Sequence, residues 1–150
     1  MSKIFISIVF TFFCSSLVFA DVISYDTPEI KQLEAMGYDI DKTEKQPTLI
    51  FGSNGSNKIL LTKNSERVVI FRNFTRKKLT QKDEFDLLQI VNNLNVETSY
   101  QVSLQNKSII FALYLFGNYD PKVFAKLVRL IETCDSNWNN YPNLLKLLND

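Results

Sequence analysis

The sequence predicts a single α+β domain, an antiparallel sheet packed against helices in the order α-β-β-β-α-β-β-α. Three segments begin with helix-capping residues and carry apolar side chains at helical spacing. Between them lie β-rich runs separated by short turn-forming segments, and one of these runs is apolar at every position. With 150 residues, 45% of them hydrophobic, the chain can bury a substantial core.

The first twenty residues are set aside from this fold because they resemble a secretory signal peptide. Lys3 gives a short positive start, residues 4–13 are almost entirely apolar, and small residues occupy the −3 and −1 positions of a cleavage site after Ala20. The apolar stretch falls short of the roughly 20 residues that a spanning helix needs, so cleavage is favoured over an uncleaved anchor. We expect a signal peptide at 1–20, one domain at 21–150, and export to the periplasm or beyond.

Composition excludes several classes of function. The chain has no histidine, which excludes Ser–His–Asp and Cys–His catalysis and zinc sites that use imidazole. Removal of residues 1–20 leaves 16 basic and 16 acidic side chains, a balance that disfavours nucleic acid or an acidic membrane as the main partner. It also leaves Cys134 as the single cysteine, so no internal disulfide can form. We expect that the protein is not an enzyme and that it binds no cofactor and no metal.

The first half of the domain is predicted to be a helix followed by a three-stranded meander. Thr27 is expected to act as the N-cap before Pro28, and Gly37 to end the helix in a left-handed cap. A polar loop is predicted at 39–46 and a loop rich in turn formers at 52–57. The predicted strands are 48–51, 58–62 and 67–74, with a hairpin turn at 63–66.

The second half is predicted to be helix, hairpin, helix and a short tail helix. Thr80 caps the first of these helices, whose apolar stripe is expected to be Phe85, Leu88 and Val91, widened by Leu87 and Leu94. A hairpin pairs 100–104 with 108–116. Asp120 caps the last long helix, and a tail helix follows Pro142. The predicted apolar stripe of the last long helix is Val123, Leu127, Leu130, Cys134 and Trp138, with Phe124, Val128 and Ile131 beside it.

The segment Ile109–Phe116 carries more information than the others because both of its faces are apolar. Such a strand lies inside a sheet and not at its edge. Two explanations remain open: helices of the same chain cover both faces of the sheet, or a second copy or a client protein completes one of them. The residues expected on one face are Ile109, Phe111, Leu113 and Leu115, and those on the other are Ile110, Ala112, Tyr114 and Phe116.

A helix ending Ile90-Val91-Asn92-Asn93-Leu94-Asn95, followed by a hairpin with an apolar second strand and an amphipathic helix, resembles the YbjN family. The resemblance spans about 29–134 and implies a fold like that of type III secretion chaperones. These bacterial proteins are described as candidate sensory transduction regulators, so the resemblance implies a chaperone-like or regulatory role, often linked to stress responses. It supplies no catalytic residues. Many such proteins are regarded as cytoplasmic, so the predicted signal peptide is a departure.

Four segments invite a chemical interpretation, and each has a simpler structural explanation. The loop at 52–57 lacks the ending of a phosphate loop and the pattern of a nucleophile elbow. The segment 39–44 begins like a calcium loop but lacks its glycine. The carboxylates at 83–86 suit the positive end of a helix dipole. The mixture of basic and aromatic residues at 72–78 fits a solvated connection, with a docking patch for an acidic protein as the alternative.

The function expected from the sequence is that of an exported, non-enzymatic protein-binding or regulatory domain with an adaptor-like role. Its partner is expected to be another protein or a second copy of the chain, with no nucleic acid and no membrane anchor after cleavage. The alternative is a periplasmic protein that holds a small apolar ligand in a cleft between sheet and helices. The candidate partner-binding residues are Ile110, Tyr114, Phe116, Arg72, Arg76 and Lys77.

Overall fold

The computed structural model describes residues 20–105, 108–136, 138 and 141–148. The predicted signal peptide, apart from Ala20, lies outside these residues. Within the described ranges, no helix is both long and apolar enough to cross a membrane. The helices are α1 (Pro28–Ala35), α2 (Gln81–Glu97), α3 (Pro121–Glu132) and α4 (Pro142–Leu147). The strands are β1 (Asp39–Ile40), β2 (Ile50–Asn54), β3 (Asn57–Lys63), β4 (Arg67–Thr75), β5 (Gln101–Gln105) and β6 (Ser108–Phe116).

The strands form one antiparallel sheet in the order β1-β2-β3-β4-β6-β5, which confirms the predicted α+β fold and its meander. β6 pairs with β4 over nine residues and with β5 on its other side, so the apolar strand lies inside the sheet as predicted. The tail helix α4 is also where the sequence places it. Trp138, which precedes α4, is buried with its ring 4.5 Å from that of Phe74.

Two predicted loops contain strand residues. β1 lies within 39–46, where Ile40 is an apolar residue that packs into the core. The predicted loop at 52–57 is a tight hairpin, since β2 continues to Asn54 and β3 begins at Asn57. Gly52 lies within β2, at a position with little room for a side chain: a Cβ atom would lie 3.2 Å from Cδ1 of Ile40 and 3.3 Å from Cδ1 of Tyr38.

The helix ends follow the predicted capping chemistry except at one position. Thr80 and Asp83 form a reciprocal capping box, and Asp120 accepts hydrogen bonds from two backbone amides of α3 at 2.8 and 3.0 Å. Gly37 has a φ of 89°, the left-handed conformation expected at the end of α1. Thr27 precedes α1 but makes no capping hydrogen bond, and its hydroxyl is buried without a partner. The start of α1 therefore rests on the fixed φ of Pro28.

The buried stripes of α2 and α3 are rotated from the predicted ones. α2 buries Leu87, Val91 and Leu94 and leaves Phe85 and Leu88 exposed. α3 buries Phe124, Val128 and Ile131 at the centre of its stripe and leaves Val123 exposed. Both helices have apolar residues over more than one face, so spacing alone did not decide which of them meets the sheet.

The sheet has two chemically different faces. On one, apolar side chains of the described helices join alternate residues of β6 in the main core. On the other, which we call the outer face, the described cluster contains residues of strands and of one connection, and none of a helix: Val69, Phe71, Ile110 and Ala112, with Leu49, Leu60 and Tyr114 packed against them. Among the described residues no helix side chain joins this cluster, and both explanations for the apolar strand, cover by the same chain or by a second protein, stay open. The predicted division of β6 between the two faces is confirmed.

Candidate functional site

The outer face is built from alternate residues of neighbouring strands. The antiparallel register aligns Phe51 of β2 with Leu60 of β3, then Phe71 of β4 and Ala112 of β6 in one row across the sheet. The β4 and β6 members of this row are well buried, with Phe71 6% and Ala112 0% exposed, whereas Phe51 of β2 is 50% exposed. An apolar sheet surface is thus accessible at its margins rather than at its centre.

One margin carries a group of aromatic rings and a cation, which we call the Arg67 cluster (Arg67, Tyr114 and Phe116). The rings of Tyr114 and Phe116 stack with centroids 5.9 Å apart and an interplanar angle of 15°. The guanidinium carbon of Arg67 lies 5.4 Å from the centre of the Tyr114 ring, within range of a cation–π interaction. Burial raises the pKa of Tyr114, while the charge of Arg67 opposes that shift. Phe116 is 66% exposed, so the outer end of the stack is open to a partner.

Two predicted partner-binding residues, Ile110 and Arg72, are buried and lie on opposite faces of the sheet. Ile110 belongs to the buried part of the outer face. Arg72 points toward the helices, where Nη1 donates to the backbone carbonyl of Glu132 at 2.7 Å and lies 3.6 Å from Oδ2 of Asp135. Its guanidinium also lies 4.8 Å from the centre of the Phe74 ring. These contacts give Arg72 a structural role at the end of α3.

The other two basic candidates contact the C-terminal segment or α2. Arg76 pairs through its backbone with Leu148, and its Nη2 lies 4.0 Å from a carboxylate oxygen of Glu84. Lys77 donates from its backbone amide to the carbonyl of Leu147 at 2.9 Å, and from Nζ to that of Lys146 at 3.3 Å. The six predicted residues therefore do not form one surface. Only Tyr114 and Phe116 belong to the Arg67 cluster, whose arginine the sequence did not single out.

Among the described residues, no group of His, Cys, Asp and Glu side chains could hold a metal ion. Tyr38 donates to Glu132 at 2.6 Å beneath the end of α3, and burial together with that carboxylate raises the pKa of Tyr38. This shift stabilises the neutral phenol and so makes Tyr38 a poor base at neutral pH. Its hydrogen bond joins α3 to the residues before β1.

Cys134 is expected to be unreactive in the folded protein. Its side chain is 2% exposed, and burial raises the pKa of its thiol to about 12. At pH 8 the fraction of thiolate should fall about a thousandfold below that of an ordinary cysteine with a pKa of 9.0, and burial restricts access further. In a Cys14→Ser chain, iodoacetamide should therefore label Cys134 only after unfolding in urea. Rapid labelling of the folded chain, followed by mass spectrometry, would contradict this assignment.

An open cavity of about 520 Å³ lies on the outer face, at the opposite margin from the Arg67 cluster. It is bordered by residues of β1 to β4 and by Asp41, and it was not predicted from the sequence. The sequence alternative placed a ligand between sheet and helices, whereas this cavity lies on the other face of the sheet. Asp39 and Asp41 sit two positions apart, which would have revealed the site only if 39–40 had been predicted as a strand.

Comparison with known proteins identifies the fold but no relative by sequence. No family model matches the chain, and no curated protein matches it. A solved structure, that of YbjN from E. coli, described as a proposed transcription regulator, superposes with a TM-score of 0.63 at 14% sequence identity. The match covers 87% of this chain and 99% of YbjN. The chain therefore has a YbjN-like α+β fold, as the resemblance of its sequence implied.

Proposed function

We propose that this chain is a non-enzymatic protein-binding domain with a regulatory or adaptor-like role, and that the Arg67 cluster is its binding surface. The observation that carries the proposal is the open aromatic stack of Tyr114 and Phe116 with Arg67 beside it. Aromatic residues and arginine contribute most of the affinity at many protein interfaces. The likeness to a proposed transcription regulator supports the regulatory part of the role. The balanced charge favours regulation by protein contact over contact with nucleic acid.

The chemistry of the Arg67 cluster indicates the kind of partner segment that would fit it. An apolar or aromatic side chain would cover the exposed ring of Phe116, and a carboxylate beside it would pair with Arg67. Because Arg67 already lies against Tyr114, little side-chain freedom would be lost when a partner binds. We propose an acidic, partly apolar segment of another protein as the partner.

The test is site-specific photo-cross-linking in living cells with the full chain. A photoreactive residue placed at Phe116 should yield a defined adduct, whereas one placed at Val96, an exposed apolar residue of α2, should not. Substitution Arg67→Gln should weaken the adduct formed from position 116. Equal adducts from both positions would contradict the proposed surface. An adduct of twice the chain's mass would instead identify a second copy as the partner.

Export is a separate part of the proposal, supported by the apolar segment and the cleavage pattern before Asp21. We propose that cleavage after Ala20 releases the domain at 21–150 into the periplasm or beyond. Cell fractionation and N-terminal sequencing of the purified protein should find a chain beginning at Asp21 outside the cytoplasm. A chain beginning at Met1 in the cytosolic fraction would refute export without affecting the proposed binding surface.

A further inference from the structure

We infer that the open cavity on the outer face binds a short peptide with free termini and apolar side chains, about three residues long. The cavity of about 520 Å³ falls within the range of small-ligand sites. Its border combines carboxylates, an ammonium group and an exposed aromatic ring. This site lies at the opposite margin from the Arg67 cluster and is independent of the function proposed for that cluster.

The charges of the cavity are separated along one direction. The register aligns Asp39 of β1 with Ser53 of β2, and Ser53 with Lys58 of β3. One strand, β2, therefore lies between the acidic side and the ammonium group, and the two inter-strand spacings place the Cα atoms of Asp39 and Lys58 about 10 Å apart. Asp41 lies on the acidic side too, because its backbone amide donates to the carbonyl of Phe51 at 3.0 Å.

Both ends of this arrangement have charge available for a ligand. Within the described part of the chain, neither Asp39 nor Lys58 forms an ion pair or a side-chain hydrogen bond. One carboxylate oxygen of Asp41 accepts from the backbone amide of Thr43 at 3.0 Å, which fixes the side chain and leaves its other oxygen for a second donor. The acidic side can thus accept from an ammonium group, and Lys58 can donate to a carboxylate.

The polar Ser53 lies between the charged ends, and the apolar part of the cavity lies in the neighbouring row of residues. Phe51 is 50% exposed and is paired by the register with Leu60, which also lines the cavity. Exposure of an aromatic ring beside an aliphatic side chain provides a place for apolar ligand groups to be removed from water. Asn73, farther along the sheet, adds an amide that can bond to a peptide group.

These features select a peptide over a single amino acid. An extended chain spans about 3.3–3.6 Å per residue, so three residues cover about 10 Å, the separation of the strands that carry the opposite charges. The peptide's α-ammonium would lie beside Asp39 and Asp41, and its carboxylate beside Lys58. Apolar side chains would cover Phe51 and Leu60. A free amino acid presents the same two charged groups but is too short to reach both ends.

The inference is tested by NMR titration of the ¹⁵N-labelled full chain with the tripeptide Leu-Leu-Leu. Saturable shifts are expected at the backbone amides of Phe51 and Asn73. Because each blocked terminus removes one charge-assisted contact, N-acetylation and C-amidation of the peptide should each weaken binding about tenfold. Free leucine should bind more weakly than the tripeptide. Absence of saturable shifts at millimolar peptide, or equal affinity for free leucine, would overturn the proposal.

Two charge variants show whether the termini bind where the geometry places them. Asp39→Asn should reduce the preference for a free amino terminus, and Lys58→Gln the preference for a free carboxylate. Lys45→Gln, at an exposed lysine that does not line the cavity, is the matched control and should leave both preferences unchanged. Phe116→Ser should also leave peptide binding unchanged, which separates this site from the Arg67 cluster. If neither variant alters the preference for a free amino terminus or a free carboxylate, the assigned contacts are wrong.

Discussion

Substitution Leu113→Asp is expected to abolish or strongly weaken cooperative folding. Leu113 is 4% exposed, lies on the helix-facing side of β6 and is aligned with Ile70 of β4. An aspartate there would place a carboxylate among apolar side chains, and either its burial as an anion or its protonation costs free energy. The expected loss is on the order of 4–5 kcal/mol, a large part of the stability of an ordinary domain. Thermal denaturation followed by circular dichroism measures it.

The matched control places the same charge on the other face of the same strand. Phe116 lies three residues farther along β6 on the outer face and is 66% exposed, so Phe116→Asp should cost only about 0.5–1.5 kcal/mol, the range expected for loss of its stack with Tyr114. Leu113→Met, which nearly conserves volume, should cost less than about 1.5 kcal/mol. If Leu113→Asp and Phe116→Asp melt alike, the assignment of the two faces of β6 is wrong.

The parts of the fold that the sequence predicts correctly depend on local chemistry. The side chains of Thr80 and Asp83 each accept a hydrogen bond from the other's backbone amide, and Asp120 accepts from two amides at the start of α3. Both helix starts can therefore be predicted from the sequence. The alternation along 109–116 likewise follows from strand geometry once the segment is recognised as a strand. These signals need no knowledge of distant residues, which is why they can be derived from the chain alone.

The parts that escape prediction depend on contacts between distant segments. Gly52 indicates a loop by its type, yet it pairs within β2, where Tyr38 and Ile40 leave little room for a side chain. The cavity requires β1, whose two residues pair with β2 across more than ten intervening positions. Arg72 belongs to a basic segment by sequence, but its partners are at the end of α3, sixty residues away. Composition describes these residues without revealing what they touch.

The second large effect is expected from Arg72→Met. The change removes the hydrogen bond to the carbonyl of Glu132, a group that the ending helix leaves without an intrahelical partner, and it also removes the cation beside Asp135. The aliphatic replacement keeps much of the packing against Phe74, so the loss reports the polar contacts. We expect a decrease of about 2–3 kcal/mol in the free energy of unfolding, measured by urea denaturation.

The control for Arg72 is Arg129→Met, because Arg129 is an exposed arginine of α3 that makes no ion pair within the described chain. Arg129→Met should change the free energy of unfolding by no more than about 0.5 kcal/mol. Arg72→Lys keeps the positive charge but lacks the planar guanidinium, so it should recover only part of the stability.

These variants also separate two roles for the basic segment. If Arg72→Met left stability unchanged but weakened cross-linking from position 116, Arg72 would belong to the binding surface. A loss of stability with unchanged cross-linking would place its role in holding α3 against the sheet.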